Sequence, residues 1–162
     1  RSKEADGPVY ARIINTASEA FLFGSPGQPN YAAAKAGIAA LTLTTAQSCA
    51  RFGVNANAIC PRARTRMTEE MPMFAKPEEG FDAFAPENVA PLVGFLASPA
   101  AAKVSGQVFV VHGGQVSLLV GPRVDQRWDA ARAWTPGELA GTLGPFFDTR
   151  TPVRDGFAMP FG

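Results

Sequence analysis

Short apolar segments alternate with longer helical segments along the first two thirds of the chain. Residues 12–17, 54–60 and 107–111 are short, rich in β-branched or apolar side chains and bounded by turn residues, which predicts three buried strands. Between them, residues 30–51 and 86–97 are predicted to form helices. Short strands joined by helical crossovers are typical of an α/β fold, a doubly wound parallel sheet with helices covering its faces.

Turn residues define the ends of these elements. Residues 24–29 (GSPGQP) are predicted to be a loop, after which Asn30 is the predicted N-cap of the long helix and Gly53 its C-terminal stop. Residues 61–85 are predicted to be a long irregular connection. Further along the chain, a short helix is predicted after Thr135-Pro136.

Composition and charge narrow the class of protein. The chain has 162 residues, close to one domain at roughly 150 residues per domain, and 46% are hydrophobic, enough for a packed core. Its 15 basic and 14 acidic residues give a net charge of +1, which indicates neither a nucleic-acid nor a membrane partner. The two cysteines, Cys49 and Cys60, are too few for a disulfide framework and indicate a reducing compartment. We therefore expect a cytoplasmic protein.

Candidate catalytic residues cluster between the first strand and the long helix. Tyr31 and Lys35 are spaced i, i+4, so their side chains share one helical face one turn apart. A lysine cation beside a phenol favours the phenolate, which makes a tyrosine usable for proton transfer near neutral pH. Ser18 closes the preceding strand at its carboxyl end, the edge where open α/β sheets bind ligands. A simple surface contact between Tyr31 and Lys35 is the alternative interpretation of the same spacing.

Other polar residues near this edge have a functional and a structural interpretation. Arg62, Arg64 and Arg66 alternate within one loop, where they either bind the phosphates of a substrate or cofactor or form a solvated surface balanced by acidic neighbours. His112 is the only histidine, and one histidine without partner ligands predicts no metal site.

Four motifs occur in the order and at the spacing of a known enzyme family. They are IINTAS (13–18), GSPGQPNYAAAKAG (24–37), GVNANAICP (53–61) and SGQVFVVHGG (105–114). Over residues 10–114 the chain resembles the C-terminal half of a short-chain dehydrogenase/reductase. The resemblance implies a Rossmann-like fold of which only the C-terminal half is present, followed by a C-terminal extension.

The resemblance also implies catalytic roles for the clustered residues. Ser18 orients and polarises the substrate carbonyl or hydroxyl group, and Tyr31 acts as general acid and base. Lys35 supports the phenolate of Tyr31 and forms a hydrogen bond with the nicotinamide ribose. An enzyme of this family interconverts a secondary alcohol and a ketone with NAD or NADP as the cofactor.

Further cofactor contacts are implied in the loop that follows the second strand. Pro61, the backbone near Ala63 and the hydroxyl of Thr65 are expected to lie along the nicotinamide. Arg62 departs from the family pattern, which commonly has a glycine after this proline. The path of the loop at the nicotinamide is therefore a question for the structure.

A narrower resemblance concerns the substrate. CPRARTRMTE (60–69), PENVAPLVGFLAS (86–98) and the tail motif from Thr135 to Glu138 are similar to the (3R)-hydroxyacyl-CoA dehydrogenase unit of peroxisomal multifunctional enzyme type 2 and its bacterial relatives. This implies a 3-hydroxyacyl or 3-oxoacyl thioester as substrate. A 3-oxoacyl-acyl-carrier-protein reductase and a hydroxysteroid dehydrogenase are the alternatives within the family.

The resemblance divides the chain into two parts and implies a partner. Residues 1–114 are the C-terminal half of a dinucleotide-binding dehydrogenase domain, and residues 115–162 are an extension that packs on that domain or on a neighbouring subunit. The corresponding helix of the family commonly packs across a subunit interface, which implies a homodimer or homotetramer. Small side chains on the long helix permit such close packing: Ala32, Ala33, Ala36, Ala39 and Ala40. A non-catalytic fragment or assembly subunit without the cofactor-binding half is the non-enzyme alternative.

Overall fold

A computed structural model describes residues 10–152, so the outer ends of both predicted parts (1–9 and 153–162) lie outside the described residues. The chain divides into two compact units after Val120. The first unit contains a four-stranded sheet with helices, and the described residues of the second unit include one helix. In chain order the strands and α-helices are β1 (Ala11–Thr16), α1 (Ala20–Phe23), α2 (Pro29–Cys49), β2 (Val54–Pro61), α3 (Ala90–Ala97), β3 (Val108–His112), β4 (Gln115–Leu118) and α4 (Pro136–Asp148). Short 3₁₀ turns occupy Ala50–Phe52, Pro72–Phe74, Pro86–Val89 and Pro99–Ala101.

The sheet has the strand order β1-β2-β3-β4. β1, β2 and β3 are parallel, with Thr16 opposite Ile59 and Pro61 opposite Val111, whereas β4 returns antiparallel to β3. Because neighbouring parallel strands end at the same edge, the residues that follow β1, β2 and β3 are brought together. The predicted α/β fold with a largely parallel sheet is confirmed.

The core lies on both faces of the sheet because consecutive residues of a strand point to opposite sides. Ala58 and Cys60 of β2 face one cluster, against which Ile38 of α2 packs. Ile59 between them faces the other cluster, with Leu92 and Leu96 of α3. Helices therefore cover both faces, which is the doubly wound arrangement.

Helix α2 is fixed to β1 by a buried polar contact. The fully buried Thr42 accepts a hydrogen bond from the side-chain amide of Asn15 at 2.8 Å and donates one to the carbonyl of Ile38 at 2.8 Å. The Thr42 hydroxyl thus has a partner both as donor and as acceptor, so its burial leaves no polar group unpaired. It sets the rotation of the helix that bears Tyr31 and Lys35.

The start of α2 corrects one prediction. The helix begins at Pro29 with Gln28 in the N-cap position, so the predicted N-cap at Asn30 is wrong. Proline is favoured at the first helical position because its fixed φ suits the helix and its missing N–H has no partner there in any case. The predicted stop at Gly53 is confirmed, since Gly53 adopts a left-handed φ of 72° after the last turn.

Strand β4 was not predicted by the sequence pattern. Gln115–Leu118 pairs antiparallel with β3, so this segment belongs to the sheet although the sequence assigns it to the extension. The first compact unit accordingly runs to Val120 instead of ending at Gly114. The packing of the remaining extension on the domain or on a neighbouring subunit stays a prediction.

The second unit is organised around α4. Thr135 and Glu138 form a capping box at its start, which confirms the helix predicted after Thr135-Pro136. The pKa of Glu138 is lowered by hydrogen bonds from the hydroxyl and backbone N–H of Thr135 and from Arg132. Phe146 of α4 contacts Trp128 edge to face at 5.0 Å between ring centroids.

Candidate functional site

The loop that follows β1 positions Ser18. The backbone N–H of Ala17 donates to the carbonyl of Ile59 at 2.8 Å, which continues the β1–β2 pairing up to the residue before Ser18. The hydroxyl oxygen of Ser18 accepts a hydrogen bond from the backbone N–H of Ala20 at 3.3 Å. A hydroxyl also has one proton to donate, so this bond leaves the Ser18 O–H as a donor for a ligand oxygen.

The ammonium of Lys35 reaches the same end of β1. Its Nζ donates to the carbonyl of Thr16 at 2.9 Å, two residues before Ser18. The same Nζ lies 5.6 Å from the centroid of the Tyr31 ring, one helical turn earlier. Tyr31 is 42% exposed and therefore accessible to a ligand. The structure thus brings the predicted Tyr31–Lys35 pair to the carboxyl end of the strand that precedes Ser18.

A shallow apolar concavity lies at the start of the helix that carries this pair. It is formed by the loop between α1 and α2 and by the first turn of α2. Its lining is Phe23, Gly24, Ser25, Pro26, Gly27, Pro29 and Ala32. The concavity is therefore an apolar surface at the start of the helix that carries Tyr31 and Lys35.

The loop after β2 contains the predicted cofactor contacts and begins at the same edge. Pro61 is the last residue of β2, opposite Val111 of β3. The loop is held by Thr68, whose hydroxyl donates to the carbonyl of Ala63 at 3.0 Å and accepts from the backbone N–H of Thr65 at 2.8 Å. The hydroxyls of Thr65 and Thr68 lie 3.2 Å apart. Ala63 and Thr65 therefore lie in one hydrogen-bonded turn, which follows Pro61 at the carboxyl edge of the sheet.

Two of the three alternating arginines in this loop are paired with carboxylates. Arg62 forms two hydrogen bonds with Glu19, from Nε to Oε2 at 2.7 Å and from Nη2 to Oε1 at 2.6 Å. Arg64 forms an ion pair with Asp82 and donates to the carbonyl of Phe74 at 3.1 Å. Because carboxylates already neutralise these two guanidinium groups, the phosphate-binding interpretation of the arginines applies at most to the exposed Arg66.

The two ion pairs shift the pKa values of Arg62 and Asp82. The hydrogen bond with Glu19 raises the pKa of Arg62 above its ordinary value. The hydrogen bond from Arg64 lowers the pKa of Asp82. The charged forms of both groups are thus stabilised, as expected for charge-assisted hydrogen bonds.

Sequence reasoning missed Glu19 as a member of this site. It lies directly after Ser18, and its partner Arg62 is 43 positions later in the chain. The sequence did contain one indication of this contact, because Glu19 follows β1 and Arg62 follows β2. Adjacent parallel strands bring the residues at their carboxyl ends together.

His112 packs against an aromatic ring and a guanidinium group. Its ring stacks on Phe84 at 5.6 Å between centroids, and its Nε2 lies 3.5 Å from Nη1 of Arg62. Among residues 10–152, no group of three or more histidine, cysteine or acidic side chains is arranged to hold a metal ion. Within the same residues, no helix is both long and apolar enough to cross a membrane.

Comparison with known proteins identifies the family. Residues 4–115 match the family model described as enoyl-(acyl carrier protein) reductase. The chain is 51% identical over 158 residues to hydroxyacyl-CoA dehydrogenase ChsB1 of Mycobacterium tuberculosis, covering 95% of this chain and 50% of that protein. It is 47% identical over 111 residues to a 3-oxoacyl-[acyl-carrier-protein] reductase of Synechocystis sp., covering 65% of this chain and 44% of that protein.

A solved structure supports the same assignment. The fold matches a short chain dehydrogenase from Mycobacterium avium with a TM-score of 0.77 and 43% identity, covering 93% of this chain and 49% of that one. The chain therefore spans about half the length of the relatives it matches. With a family match over more than half of its residues and the expected sheet, the chain belongs to the short-chain dehydrogenase/reductase family.

Proposed function

We propose that the intact protein interconverts a secondary alcohol and a ketone with NAD or NADP. The observation that carries this proposal is the position of the Lys35 ammonium, 2.9 Å from the Thr16 carbonyl and 5.6 Å from the Tyr31 ring centroid. A cation at this place stabilises negative charge on a nearby phenol oxygen. The phenol and the serine hydroxyl that follows β1 then supply proton transfer and substrate orientation.

The chain's own residues divide the work in the oxidation direction. The O–H of Ser18 donates to the substrate oxygen and orients it, because the Ser18 oxygen already accepts from Ala20. Tyr31 takes the hydroxyl proton of the alcohol, and in reduction it returns that proton to the carbonyl oxygen. Lys35 stabilises the phenolate that remains.

The residues at this edge fit a nicotinamide cofactor. Lys35 has three N–H donors and, within residues 10–152, gives one to Thr16, which leaves two for ribose hydroxyl groups. Pro61 at the end of β2 and the turn that contains Ala63 and Thr65 lie at the same edge and would lie along the nicotinamide. A bound nicotinamide cofactor supplies the hydride chemistry, and the protein supplies orientation and proton handling.

We propose a 3-hydroxyacyl or 3-oxoacyl-CoA thioester as the substrate. The name of the ChsB1 relative, a hydroxyacyl-CoA dehydrogenase, supports this class. The apolar concavity at the start of α2 supports it as well, since an acyl chain is a suitable occupant for an apolar surface. A 3-oxoacyl-acyl-carrier-protein substrate is the second candidate, supported by the name of the Synechocystis relative. A hydroxysteroid alcohol is the remaining alternative.

The test of this proposal is the substitution Tyr31→Phe in the intact protein. Removing the phenol oxygen eliminates the proton-transfer group, so kcat should fall by on the order of 10²- to 10⁴-fold. The measurement is NADH or NADPH absorbance with 3-hydroxyacyl-CoA and, separately, with 3-oxoacyl thioesters of CoA and of acyl carrier protein.

Tyr10→Phe is the matched control, because Tyr10 is the other tyrosine, is half exposed and lies before β1. It should retain the activity of the unmodified protein. Unchanged turnover in Tyr31→Phe would refute the mechanism. An intact protein that neither binds nor reduces either nicotinamide cofactor would support the assembly-subunit alternative.

We further propose that the protein forms a homodimer or homotetramer through the solvent-facing side of α2. Helix α2 has 21 residues and one charged side chain, Lys35, which points towards the sheet edge. Its solvent-facing side consists of small or apolar residues and a few uncharged polar ones, which is unusual for a surface that stays in water. A cytoplasmic location remains the prediction from composition.

A further inference from the structure

The ion pair between Arg62 and Glu19 joins the two loops of the proposed active site. We infer that Arg62 and Glu19 are positioning residues that hold the hydroxyl of Ser18 in its catalytic orientation. The inference rests on the proposed function. It starts from the two parallel hydrogen bonds of 2.7 Å and 2.6 Å, which fix both the distance and the plane of the two side chains.

The Arg62 end of the pair is rigid. Its backbone N–H donates to the carbonyl of Val111 at 2.9 Å, so Arg62 extends the pairing of β2 with β3 by one residue. Its Nη1 also lies 3.5 Å from Nε2 of His112, at the end of β3. Arg62 is therefore held at the ends of β2 and β3, by its backbone bond to Val111 and by the approach of its guanidinium to His112, and serves as a fixed point for Glu19.

The Glu19 end of the pair is joined to Ser18 through the backbone. The carbonyl of Glu19 accepts hydrogen bonds from Leu22 at 2.9 Å and Phe23 at 3.2 Å, which starts the single turn of α1. The next residue, Ala20, provides the N–H that binds the hydroxyl oxygen of Ser18 at 3.3 Å. A shift of Glu19 therefore displaces the group that sets the Ser18 hydroxyl.

The short helix cannot supply this rigidity by itself. α1 has only four residues, contains no buried residue and has no side-chain N-cap bond. An isolated single helical turn is unstable because its nucleation fixes several dihedral angles for one hydrogen bond. The side chains of Arg62 and Glu19, in contrast, are only 28% and 17% exposed, so water and salt screen their attraction little.

The test compares variants of the intact protein with and without Ser18. Arg62→Ala should lower kcat by on the order of tenfold to a hundredfold, because a displacement of about 1 Å in an active site has effects of this size. The KM for the nicotinamide cofactor should change by less than about twofold, since the backbone bond of Arg62 to Val111 is retained. In a Ser18→Ala background, Arg62→Ala should cause no further loss, because the hydroxyl on which the pair acts is absent.

A merely structural role predicts a different result. In that case Arg62→Ala would lower kcat by the same factor with and without Ser18, or would leave kcat unchanged, and either outcome overturns the inference. Glu19→Gln provides the second variant should Arg62→Ala fold poorly. It is isosteric and removes the carboxylate charge, and it should repeat the same dependence on Ser18.

Arg127→Ala is the matched control because it removes an arginine from an ion pair that is well exposed, with side chains 78% and 69% accessible. Exposed ion pairs contribute little, so its kinetics should equal those of the unmodified protein. If Ser18→Ala and Tyr31→Phe both retain full turnover, the proposed function itself fails. If those two variants are impaired and Arg62→Ala is normal, only the positioning role fails.

Discussion

The environment of Cys60, which is buried and close to the negative charge of Glu19, suppresses the reactivity of its thiol. Cys60 is 1% exposed at the end of β2, and its pKa is raised to about 12 by burial first and by the negative charge of Glu19 second, with Lys35 opposing them. The reactive form of a cysteine is its thiolate. With this pKa, only about one molecule in ten thousand carries the Cys60 thiolate at pH 8.

We therefore expect thiol reagents to modify Cys49 in the native protein and to spare Cys60. Cys49 is the matched comparison, because it is partly exposed at the end of α2. The measurement is peptide mapping after brief treatment with iodoacetamide at pH 8, with and without denaturant. Both cysteines should be labelled in denaturant. Native labelling of Cys60 at the rate of Cys49 would contradict the buried position.

At the scale of residues, the predictable part of the site was the part formed by neighbours in sequence. Tyr31 and Lys35 were identified because helical geometry alone brings i and i+4 together. The contact between Glu19 and Arg62 depends on β1 and β2 being adjacent, and spacing along the chain does not contain that information. The pairing of Arg64 with Asp82 was missed for a different reason: both residues lie in an irregular connection, where no periodicity indicates which side chains meet.

Two glycines, Gly113 and Gly114, connect β3 and β4, and the turn depends on the first of them. Gly113 has a left-handed φ of 51°, and a Cβ added to it would lie 3.1 Å from the Cα and Cβ of Ala83 and 3.2 Å from its carbonyl oxygen. Gly114 has ordinary φ and no atom within 4 Å of such a Cβ. Gly113 thus combines a backbone conformation that would strain any other residue with the close approach of another segment. Gly114 has neither feature.

Gly113→Ala should reduce the free energy of unfolding by about 1–3 kcal/mol, the cost of a non-glycine residue in a strained conformation. Gly114→Ala should stay within about 0.5 kcal/mol of the unmodified protein. Urea unfolding of the intact protein, followed by far-ultraviolet circular dichroism, measures both variants, because the helices and strands of the first unit contribute to that signal. Equal midpoints for the two substitutions would contradict the assigned turn geometry.

At the scale of elements, the strands that are buried in the sheet were predicted and the exposed one was not. β2 and β3 are largely buried. β3 has the apolar run that is typical of parallel strands, and β2 has apolar residues around Asn55 and Asn57. β4 has four residues, three of them exposed, so its sequence has no apolar run to detect. Its pairing is created by the tight turn at Gly113 and by the free edge of β3.

At the scale of the whole molecule, one edge of the sheet organises the candidate chemistry. Ser18 and Glu19 follow β1, Pro61 and Arg62 end or follow β2, and His112 ends β3. The parallel order makes this convergence unavoidable, because every strand that runs in the same direction delivers its next residue to the same edge. The fold class is therefore enough to predict that these residues share one edge, although not which charged groups meet there.

The opposite side of α2 leads to a prediction for the assembled protein. Leu41 is 60% exposed at its centre, among neighbours that are small or uncharged. If this face forms the contact between subunits, Leu41→Lys introduces a charge that must be buried without a partner. A substitution at the centre of an interface costs about 2 kcal/mol or more, so the dissociation constant should rise by roughly 30-fold or more.

Sedimentation velocity of the intact protein over a range of concentrations measures this shift. Phe81→Lys is the matched control, since Phe81 is 69% exposed in the connection before α3 and away from α2. The control should sediment like the unmodified protein, because it adds the same charge to an exposed apolar position outside the proposed contact. Sedimentation of Leu41→Lys as the unmodified oligomer would exclude this face of α2, and subunit contacts would then have to lie on another surface.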